Sequence, residues 1–246
     1  MVWYTIWKMG DPKYKRVMLK FSGQLLAGKY DFGVDPEIAA FLAGEVKKVV
    51  DSGCQVVMVA GGGNMVRGAE LAGNGIRRVT ADQMGMLSGL INCMAMTDIF
   101  EANGLKTRCL SNIYATQVAE SYSYRLAEKH LQKKRVVIIA GGTARPYVTN
   151  DTAAVSFALE LDCELVLKAS KVDGVYDKDP AQFDDAHKLD EVSFQEAVGD
   201  NAIKVMDKAA LGLAMEQRQK LVVFDAMKPD NFAKIVNGET VGTTIK

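Results

Sequence analysis

Two apolar runs of this sequence each end in a cluster of glycines that an arginine follows closely. Residues 57–60 lead into GGGNMVRG over residues 61–68, and residues 136–146 read VVIIAGGTARP. Backbone N–H groups without side chains can approach an anion, and a guanidinium is a planar cation suited to phosphate. The clusters therefore indicate two phosphate-binding edges. Glycines that merely turn a strand into a helix are the alternative, since the first cluster has neither G-x-G-x-x-G nor G-K-[ST] spacing.

A lysine and an aspartate stand where an ionised side chain could serve chemistry. Lys20 lies inside the apolar run RVMLKFSG, where its charge is costly to desolvate unless an anion meets it. A surface lysine with a buried stem is the alternative. Asp151 in VTNDTAAV stands where a helix is predicted to begin, and plain capping is its alternative role. The segment that follows LVL supplies phosphate donors, an aromatic face and an acceptor for a sugar hydroxyl: Lys168, Ser170, Lys171, Tyr176 and Asp179.

The alternation of apolar β-rich runs with helical stretches sets the fold class. Segments with helical spacing separate most of these runs, which read RVMLKFSG, QVVMVAGGG, TRCLSN, RVVIIAGGT, CELVLKAS and KLVVFDA. This alternation predicts an α/β fold in which helices cover a mainly parallel sheet. The best-marked helix covers residues 35–53, with Asp35 as N-cap, Pro36 in the first turn and Gly53 at its end.

A second helix, over residues 82–104, is rich in methionine and apolar around most of its circumference. Its sequence, DQMGMLSGLINCMAMTDIFEANG, predicts one face packed on the sheet and another face packed elsewhere. That second face is either further core or a contact with another subunit. The sequence has no internal repeat and no obvious linker, and its candidate internal boundary lies near residues 147–155.

Composition and charge bound the classes of protein. The 246 residues include 30 basic and 30 acidic side chains, so no net field draws the chain to nucleic acid or to a membrane surface. The four cysteines are widely spaced in apolar company, which predicts reduced core thiols. His130 and His187 stand alone in charged segments, which predicts solvated side chains. No run is long enough to span a membrane and no export signal is evident, so the expected location is the cytoplasm.

A series of motifs resembles, in order and spacing, those of the bacterial uridylate kinases of the amino acid kinase family. They read VMLKFSGQLL, VVMVAGGGNMVRG, TADQMGML, AGGTARPYVTNDTAA, VLKASKVDGVYDKDP and IKVMDKAAL, and the resemblance covers nearly the whole chain from Tyr14 onward. It implies a three-layer α/β/α fold, with residues 1–246 in one domain. The acceptor then lies in the N-terminal half, up to about residue 150, and ATP in the C-terminal half. Residues 1–13 form an N-terminal extension.

The resemblance implies a nucleoside monophosphate kinase that transfers the γ-phosphoryl group of ATP to UMP. Mg²⁺ is carried with ATP, and no metal site of the protein's own is implied. The implied catalytic residues are Lys20, which bridges the two phosphates, and Asp151 and Asp207, which orient the cationic groups. The residues that match ATP contacts are Lys20, Phe21, Ser22, Gly23, Gly63, Arg67, Ser170, Tyr176 and Asp179. Those that match UMP contacts are Gly62, Asp82, Thr143, Ala144, Arg145, Pro146, Tyr147, Val148, Thr149 and Asn150.

The resemblance also implies a homohexamer under allosteric control, with GTP and UTP as candidate effectors. The segment that matches the region tied to GTP activation consists of Gly28, Lys29, Tyr30, Asp31, Phe32 and Gly33. Arg145 and Asn150 depart from the commonest pattern in the stretch that reads the base, which leaves the strictness of UMP over CMP open. Two alternatives remain: a kinase of this fold with another small-molecule substrate, and a nucleotide-binding storage or regulatory protein without catalysis.

Overall fold

The structure is a computed structural model that describes residues 11–66, 68–72, 75–180, 182–200, 203 and 205–246. Its helices are α1 (Gly23–Leu26), α2 (Pro36–Asp51), α3 (Gly68–Leu71), α4 (Arg78–Ala102), α5 (Tyr124–Gln132), α6 (Asn150–Glu160), α7 (Phe194–Gly199), α8 (Lys208–Glu216) and α9 (Asn231–Val236). Its strands are β1 (Arg16–Phe21), β2 (Gln55–Ala60), β3 (Thr107–Ser111), β4 (Glu120–Ser121), β5 (Val136–Ala140), β6 (Leu165–Ser170), β7 (Val175–Tyr176), β8 (Lys188–Leu189), β9 (Glu191–Val192), β10 (Leu221–Asp225) and β11 (Thr243–Ile245).

Within the described residues, one sheet has the strand order β4-β3-β5-β2-β1-β6-β10-β11-β9. Its neighbouring strands pair in parallel, except for the antiparallel pair β10 and β11. Strand β1 divides this sheet, with β2 to β5 on one side and β6, β9, β10 and β11 on the other, while β7 and β8 pair with each other separately. Because β1, β2, β5 and β6 are parallel, their carboxyl ends lie at one edge of the sheet. The order in which strands are added reverses at β1, and open α/β sheets bind ligands at the carboxyl ends of the strands beside such a reversal.

The two-residue period of β1 divides its side chains between two cores. Val17, Leu19 and Phe21 pack in the core on the side of α2 and α4. Met18 packs in the opposite core, with residues of α6 and α8. By the same alternation Lys20 shares the face of Met18 and points towards the α6 layer. The alternation of side chains along β1 thus explains why Lys20 faces α6 and not α2 or α4.

The two helices predicted from sequence are present. Helix α2 has Pro36 in its first turn, and the Asp35 side chain accepts from Glu37 N at 2.9 Å. It ends at Asp51, just before Gly53, whose φ of 98° needs a residue without Cβ. The methionine-rich helix is α4, which begins at Arg78, four residues earlier than the sequence pattern suggested.

The prediction of solvated histidines is wrong for His130. This side chain is 5 % exposed, with Nδ1 3.0 Å from Arg135 Nη1 and Nε2 3.2 Å from Glu120 Oε1. Burial lowers its pKa. Polar neighbours along the chain suggested a solvated residue, but α5 turns Ala127 and His130 to the same side, three residues apart, against the sheet. His187 is exposed, as expected.

The four cysteines are all free and buried, which confirms the prediction of reduced core thiols. Burial raises the pKa of Cys54 to about 12, so this thiol is protonated and unreactive at neutral pH. Among the described residues, no helix combines the length and the apolar character that crossing a membrane requires.

Candidate active site

Two lysines share one aspartate at the middle of the carboxyl edge. Lys20 Nζ lies 2.7 Å from Asp151 Oδ1, and Lys168 Nζ lies 3.1 Å from Asp151 Oδ2. The lysines are direct partners in the pairing of β1 with β6, and Lys168 shares the face of Val166 towards α6. Asp151 comes from the first turn of α6. When all three groups are ionised, this lysine–aspartate cluster has one positive charge in excess, which an anion can neutralise.

Burial and neighbouring charges shift the pKa values of Asp151 and Lys168 in the lysine–aspartate cluster. Burial alone would raise the pKa of Asp151, but the ammonium groups of Lys20 and Lys168 outweigh it and hold the pKa below its usual 3.8. Burial lowers the pKa of Lys168 from its usual 10.5, an effect that Asp151 opposes and Lys20 reinforces. Lys168 also donates to the carbonyl oxygen of Val205. An anion between the lysines would favour the ammonium form of Lys168.

Asp207 lies beside this cluster as the N-cap of α8. Its carboxylate accepts from Ala210 N at 3.0 Å, from Thr152 Oγ1 at 3.0 Å and from the Thr149 hydroxyl. Among the described residues, these contacts are hydroxyl and backbone donors and not an ammonium group. Thr149 in turn caps α6, so Asp207 joins the first turns of α6 and α8. The structure makes it a support for Asp151, and its predicted catalytic role stays a prediction.

The first glycine cluster forms a loop that two neighbouring segments approach too closely for side chains. A Cβ on Gly62 would lie 2.5 Å from Gly85 O of α4, and a Cβ on Gly23 would lie 2.5 Å from Gly61 O. Both distances exclude any larger residue without a shift of backbone. The loop of residues 61–63 therefore lies flat between α4 and the turn that follows β1, with its backbone towards the carboxyl edge.

Asn150 lies between the two glycine clusters. Its Nδ2 is 3.3 Å from the position of a Cβ on Gly61, and its Oδ1 is 3.1 Å from that of a Cβ on Gly142. An amide has both donors and an acceptor at its tip. Asn150, the first residue of α6, thus places an amide that can both donate and accept hydrogen bonds between the two glycine loops.

A cavity of about 200 Å³ opens between α4 and the two glycine loops. Six of the predicted UMP contacts line it: Gly62, Asp82, Thr143, Val148, Thr149 and Asn150. Gly63, Val66, Gly85, Met86, Gly141 and Gly142 complete its lining. The buried hydroxyl of Thr143 has no hydrogen-bond partner among the described residues, so a ligand or a water molecule can bond to it.

The other four predicted UMP contacts, Ala144, Arg145, Pro146 and Tyr147, are not among the residues that line this cavity. Arg145 is exposed. Ala144 and Tyr147 have φ values of 57° and 66°, which are strained for residues with a Cβ. Strain of this kind persists only where surrounding contacts hold it, and it concentrates at binding loops.

Asp82 ties this strained loop to α4. Its carboxylate accepts from Tyr147 N at 2.8 Å and from Arg78 Nε at 2.8 Å. The Arg78 guanidinium also lies over the Tyr147 ring, 5.1 Å from the ring centre. Burial would raise the pKa of Asp82, but the bonds from Tyr147 and Arg78 hold it below 3.8. The side chain predicted to hold the ribose is therefore ionised and fixed at the cavity rim.

The predicted ATP contacts on the first turn have different roles in the structure. Phe21 is fully buried in the core, so only its backbone can reach a ligand. Ser22 is the N-cap of α1 and accepts from Gln24 N at 3.3 Å. Gly63 belongs to the first glycine loop. Arg67, predicted as an ATP contact from the same loop, lies outside the described residues.

The remaining predicted ATP contacts follow β6 at the same edge of the sheet. Ser170 is the last residue of β6, and Tyr176 is in β7 with its hydroxyl donating to Asp173 Oδ1 at 2.8 Å. Asp179 accepts from Gln182 Nε2 at 3.0 Å. Of these residues, Ser170 ends the strand that carries Lys168, and the roles of Ser170, Tyr176 and Asp179 in ATP binding stay a prediction.

The predicted effector segment packs beside the first glycine loop. Gly28 has a φ of 56° and lies against Asp35, where a Cβ would clash. Gly33 N donates to Asn64 O at 3.1 Å. Phe32 is 76 % exposed, and Tyr30 is also exposed. This segment therefore contacts the loop at its Gly33 end and presents two aromatic rings to solvent.

Sequence reasoning missed part of the cluster. Lys168 was predicted only as a donor in a loop, but it lies in β6 beside Lys20. The signal was available, since LVLKAS places a lysine at the same point of an apolar strand as VMLKFS does. Thr152 and the pair Asn64 and Asn92 gave no signal, because their contacts join segments far apart in sequence.

Comparison with known proteins shows the family of this chain. A sequence model described as the amino acid kinase family matches residues 15–225. The chain belongs to the amino acid kinase family. It is 48 % identical to a uridylate kinase of Wolinella succinogenes over 230 residues, which are 93 % of this chain and 95 % of that protein.

Two solved structures support the same membership of the amino acid kinase family. A UMP kinase from Bacillus anthracis matches with a TM-score of 0.90 and 35 % identity, over 95 % of this chain and 96 % of that one. A UMP kinase from Ureaplasma parvum matches with a TM-score of 0.87 and 30 % identity, over 94 % and 98 %. The resemblance seen in the sequence and the predicted α/β fold around a mainly parallel sheet are confirmed.

Replacement of Asp151 by asparagine tests the electrostatics of the lysine–aspartate cluster. At neutral pH we expect Asp151→Asn to lower the free energy of unfolding by about 3–5 kcal/mol, because two buried ammonium groups lose their counter-charge. The native pKa of Asp151 is depressed, so its contribution is present above pH 3.8 and is lost as pH falls through the native value. The difference between wild type and variant in urea unfolding should therefore shrink below pH 4.

Asp184→Asn, at an exposed aspartate, is the control for this experiment and should change the free energy of unfolding little at any pH. A difference between wild type and Asp151→Asn that stays constant from pH 7 down to acid unfolding would contradict the charge assignment.

Proposed function

We propose that the protein is an ATP-dependent UMP kinase, which transfers the γ-phosphoryl group of ATP to UMP and releases ADP and UDP. The observation that carries this proposal is the lysine–aspartate cluster at the edge where the two glycine loops meet. It occurs in a chain that is 48 % identical to a uridylate kinase over 93 % of its length.

Phosphoryl transfer requires that the two phosphates be held in line and that negative charge on the transferring oxygens be neutralised. A phosphate oxygen of UMP forms a bond to the γ-phosphorus, and the bond from that phosphorus to the bridging oxygen of ADP breaks. The acceptor phosphate is largely deprotonated at neutral pH, since its second pKa is about 6, so a strong general base is not required. Lys20 and backbone N–H groups can neutralise charge on the transferring oxygens and hold the groups in line.

We assign the two substrates to the two sides of β1. The cavity between α4 and the glycine loops offers UMP the ionised Asp82 carboxylate and the Thr143 hydroxyl, which has no partner in the described part of the chain. ATP would lie on the side of β6, along Ser170, Tyr176 and Asp179. Lys20 stands between these regions and is the residue placed to contact both phosphates. The predicted residue roles are part of this proposal.

Kinase activity with ATP implies a divalent metal ion, and we propose that it is Mg²⁺ bound to the nucleotide as part of the substrate. The described residues contain no group of three or more His, Cys, Asp or Glu side chains that could hold a metal ion by themselves. In this proposal the phosphate oxygens of ATP are the main ligands of the ion. Such an ion neutralises negative charge on the phosphates of ATP.

A coupled assay of ADP release with a panel of acceptors tests the function. UMP should be the preferred acceptor, with CMP, AMP and acetylglutamate used poorly. CMP used as well as UMP would show that Asn150 and its neighbours do not select uracil. Acetylglutamate as the preferred acceptor would favour another kinase of this fold, and no turnover with any acceptor would favour a binding protein.

Replacement of Lys20 by methionine tests the centre of the proposed mechanism. We expect Lys20→Met to lower kcat at least a hundredfold, corresponding to about 3 kcal/mol of transition-state stabilisation from one electrostatic contact. Circular dichroism should show a folded protein. Lys106→Met, an exposed lysine before β3, should retain wild-type turnover. Near-normal kcat in Lys20→Met would remove Lys20 from the mechanism.

Replacement of Arg78 by alanine tests the rim of the acceptor cavity. Without its ion pair to Asp82 and its contact with the Tyr147 ring, the strained loop loses a tie to α4. We expect KM for UMP to rise about threefold to tenfold, and KM for ATP to stay constant, since exposed contacts of this kind contribute about 1 kcal/mol. Arg77→Ala, the same charge change one residue earlier, should leave both KM values unchanged. Equal effects of the two variants would refute the role of Arg78.

We also propose that α4 forms a subunit contact in a homohexamer. Leu87, Ile91 and Met94 occupy one face of the helix and are 48 %, 50 % and 37 % exposed. Three large apolar side chains on one stripe are typical of an interface. The effector roles of GTP and UTP through residues 28–33, and a location in the cytoplasm, are further parts of this proposal.

Light scattering tests the subunit contact. We expect the wild type to form an oligomer at micromolar concentration, and Ile91→Glu to reduce its mass, because a carboxylate would be buried in an apolar contact. Met215→Glu changes an exposed methionine of α8 in the same way and should leave the mass unchanged. A monomeric, active wild type of 26.8 kDa would refute the hexamer.

A further inference from the structure

Two buried asparagines form a reciprocal amide pair beneath the first glycine loop. Asn92 on α4 is fully buried, and Asn64 in the loop is 6 % exposed. Asn64 Nδ2 donates to Asn92 Oδ1 at 3.0 Å, and Asn92 Nδ2 donates to Asn64 Oδ1 at 2.7 Å. Buried amides that bond each other in both directions fix the relative position of the two backbones that carry them.

The remaining donors of this amide pair hold two loops. Asn92 Nδ2 also donates to Gly61 O at 2.7 Å, and Asn64 Nδ2 also donates to Gly33 O. Each amide has two N–H groups, so all four are used. A side chain without these donors would leave carbonyl groups unpaired where water is excluded.

A third segment also rests on the amide pair. A Cβ on Gly23 would lie 2.5 Å from Asn64 Oδ1, so the turn after β1 lies directly against this side chain. Gly61 N donates to Phe21 O at 3.0 Å and joins the same turn to the loop. Asn64 therefore contacts both segments that are predicted to meet the phosphates of ATP.

The face of α4 below the loop is made of small residues. A Cβ on Gly62 would lie within 2.7 Å of Gly85 O, Ser88 Cβ and Gly89 N. Positions 85, 88, 89 and 92 follow the spacing of one helical face. The loop thus rests on the backbone of α4 at one end of this face, and Asn92 bonds to it at the other.

We propose that Asn92 is a positioning residue for phosphoryl transfer. Through its bonds to Asn64 and to Gly61 O it fixes the position of the loop of residues 61–63, so that the loop backbone stays close to the transferring phosphate. Asn92 itself contacts no substrate in this assignment. The inference rests on the proposed function for its kinetic consequence, but the anion-binding role of the loop can be tested by binding alone.

Alanine substitution and ligand binding test the role of Asn92. In Asn92→Ala we expect kcat/KM for ATP to fall about tenfold, and the dissociation constant of ATP to rise. The dissociation constant of adenosine, measured by competition with ATP or by calorimetry, should stay within twofold, because adenosine has no phosphate to meet the loop. Thr97→Val removes a hydroxyl on α4 that donates to Cys93 O within the same helix, and it should leave all these constants unchanged.

Two further variants make the test decisive. Asn92→Ser leaves a hydroxyl donor and a smaller cavity at this position, so it should recover part of the activity that Asn92→Ala loses, and it serves if the alanine variant does not fold. In Asn64→Ala combined with Asn92→Ala, the loss should be smaller than the product of the single losses, since the pair acts as a unit.

The failures of the two proposals are distinguishable. Equal weakening of ATP and adenosine binding in folded Asn92→Ala, or unchanged kcat/KM for ATP, would overturn the positioning role while UMP phosphorylation by the wild type stands. If the wild type binds ATP but phosphorylates no acceptor, the proposed function fails, and the comparison of ATP with adenosine still decides whether Asn92 positions an anion-binding loop.

Discussion

The ion pairs from Asp151 to Lys20 and Lys168 are the constraint on which the arrangement of this site depends. Two lysines that are direct partners on adjacent strands repel each other, and burial adds to the cost of their charges. One carboxylate between them offsets that cost and leaves positive charge in excess. The sheet must therefore present both lysines on one face, and α6 must begin where its first turn reaches them. Asp207 fixes that beginning from the side of α8.

Rigidity of the surrounding backbone follows from the same requirement. A cationic centre is useful for phosphoryl transfer only if the donor groups around it are already in place when charge develops. Glycines at residues 23 and 62 allow main chain to lie against main chain, with no side chain between. The strained loop at Ala144 and Tyr147 is held by Asp82 on α4. Strain and close backbone approach cost free energy, but they fix the groups of the site so that these groups need little rearrangement when a ligand binds.

Sequence patterns predicted the features that depend on local periodicity and failed where distant segments meet. The long strands, α2 and α4 have strong apolar spacing, and each was found. Strands β4, β7, β8, β9 and β11 have two or three residues, too few for any period to show. His130 was misjudged because its chain neighbours are polar, although its helix turns it inward. Lys168 was assigned to a loop because its partner, Asp151, lies 17 residues away and is brought to it only by the fold.

Helix α4 shows why the site and the proposed assembly cannot be considered apart. Its N-terminal part holds the loop at Tyr147 through Asp82, and its small residues and Asn92 support the first glycine loop. The stripe of Leu87, Ile91 and Met94 lies on the other side of the same helix. A packed helix moves largely as a rigid element, so a displacement at one of its faces also displaces the opposite face. A second subunit bound to that stripe would restrain the helix that supports the first glycine loop, so the proposed oligomer and the proposed phosphate-binding role of this loop are coupled through α4.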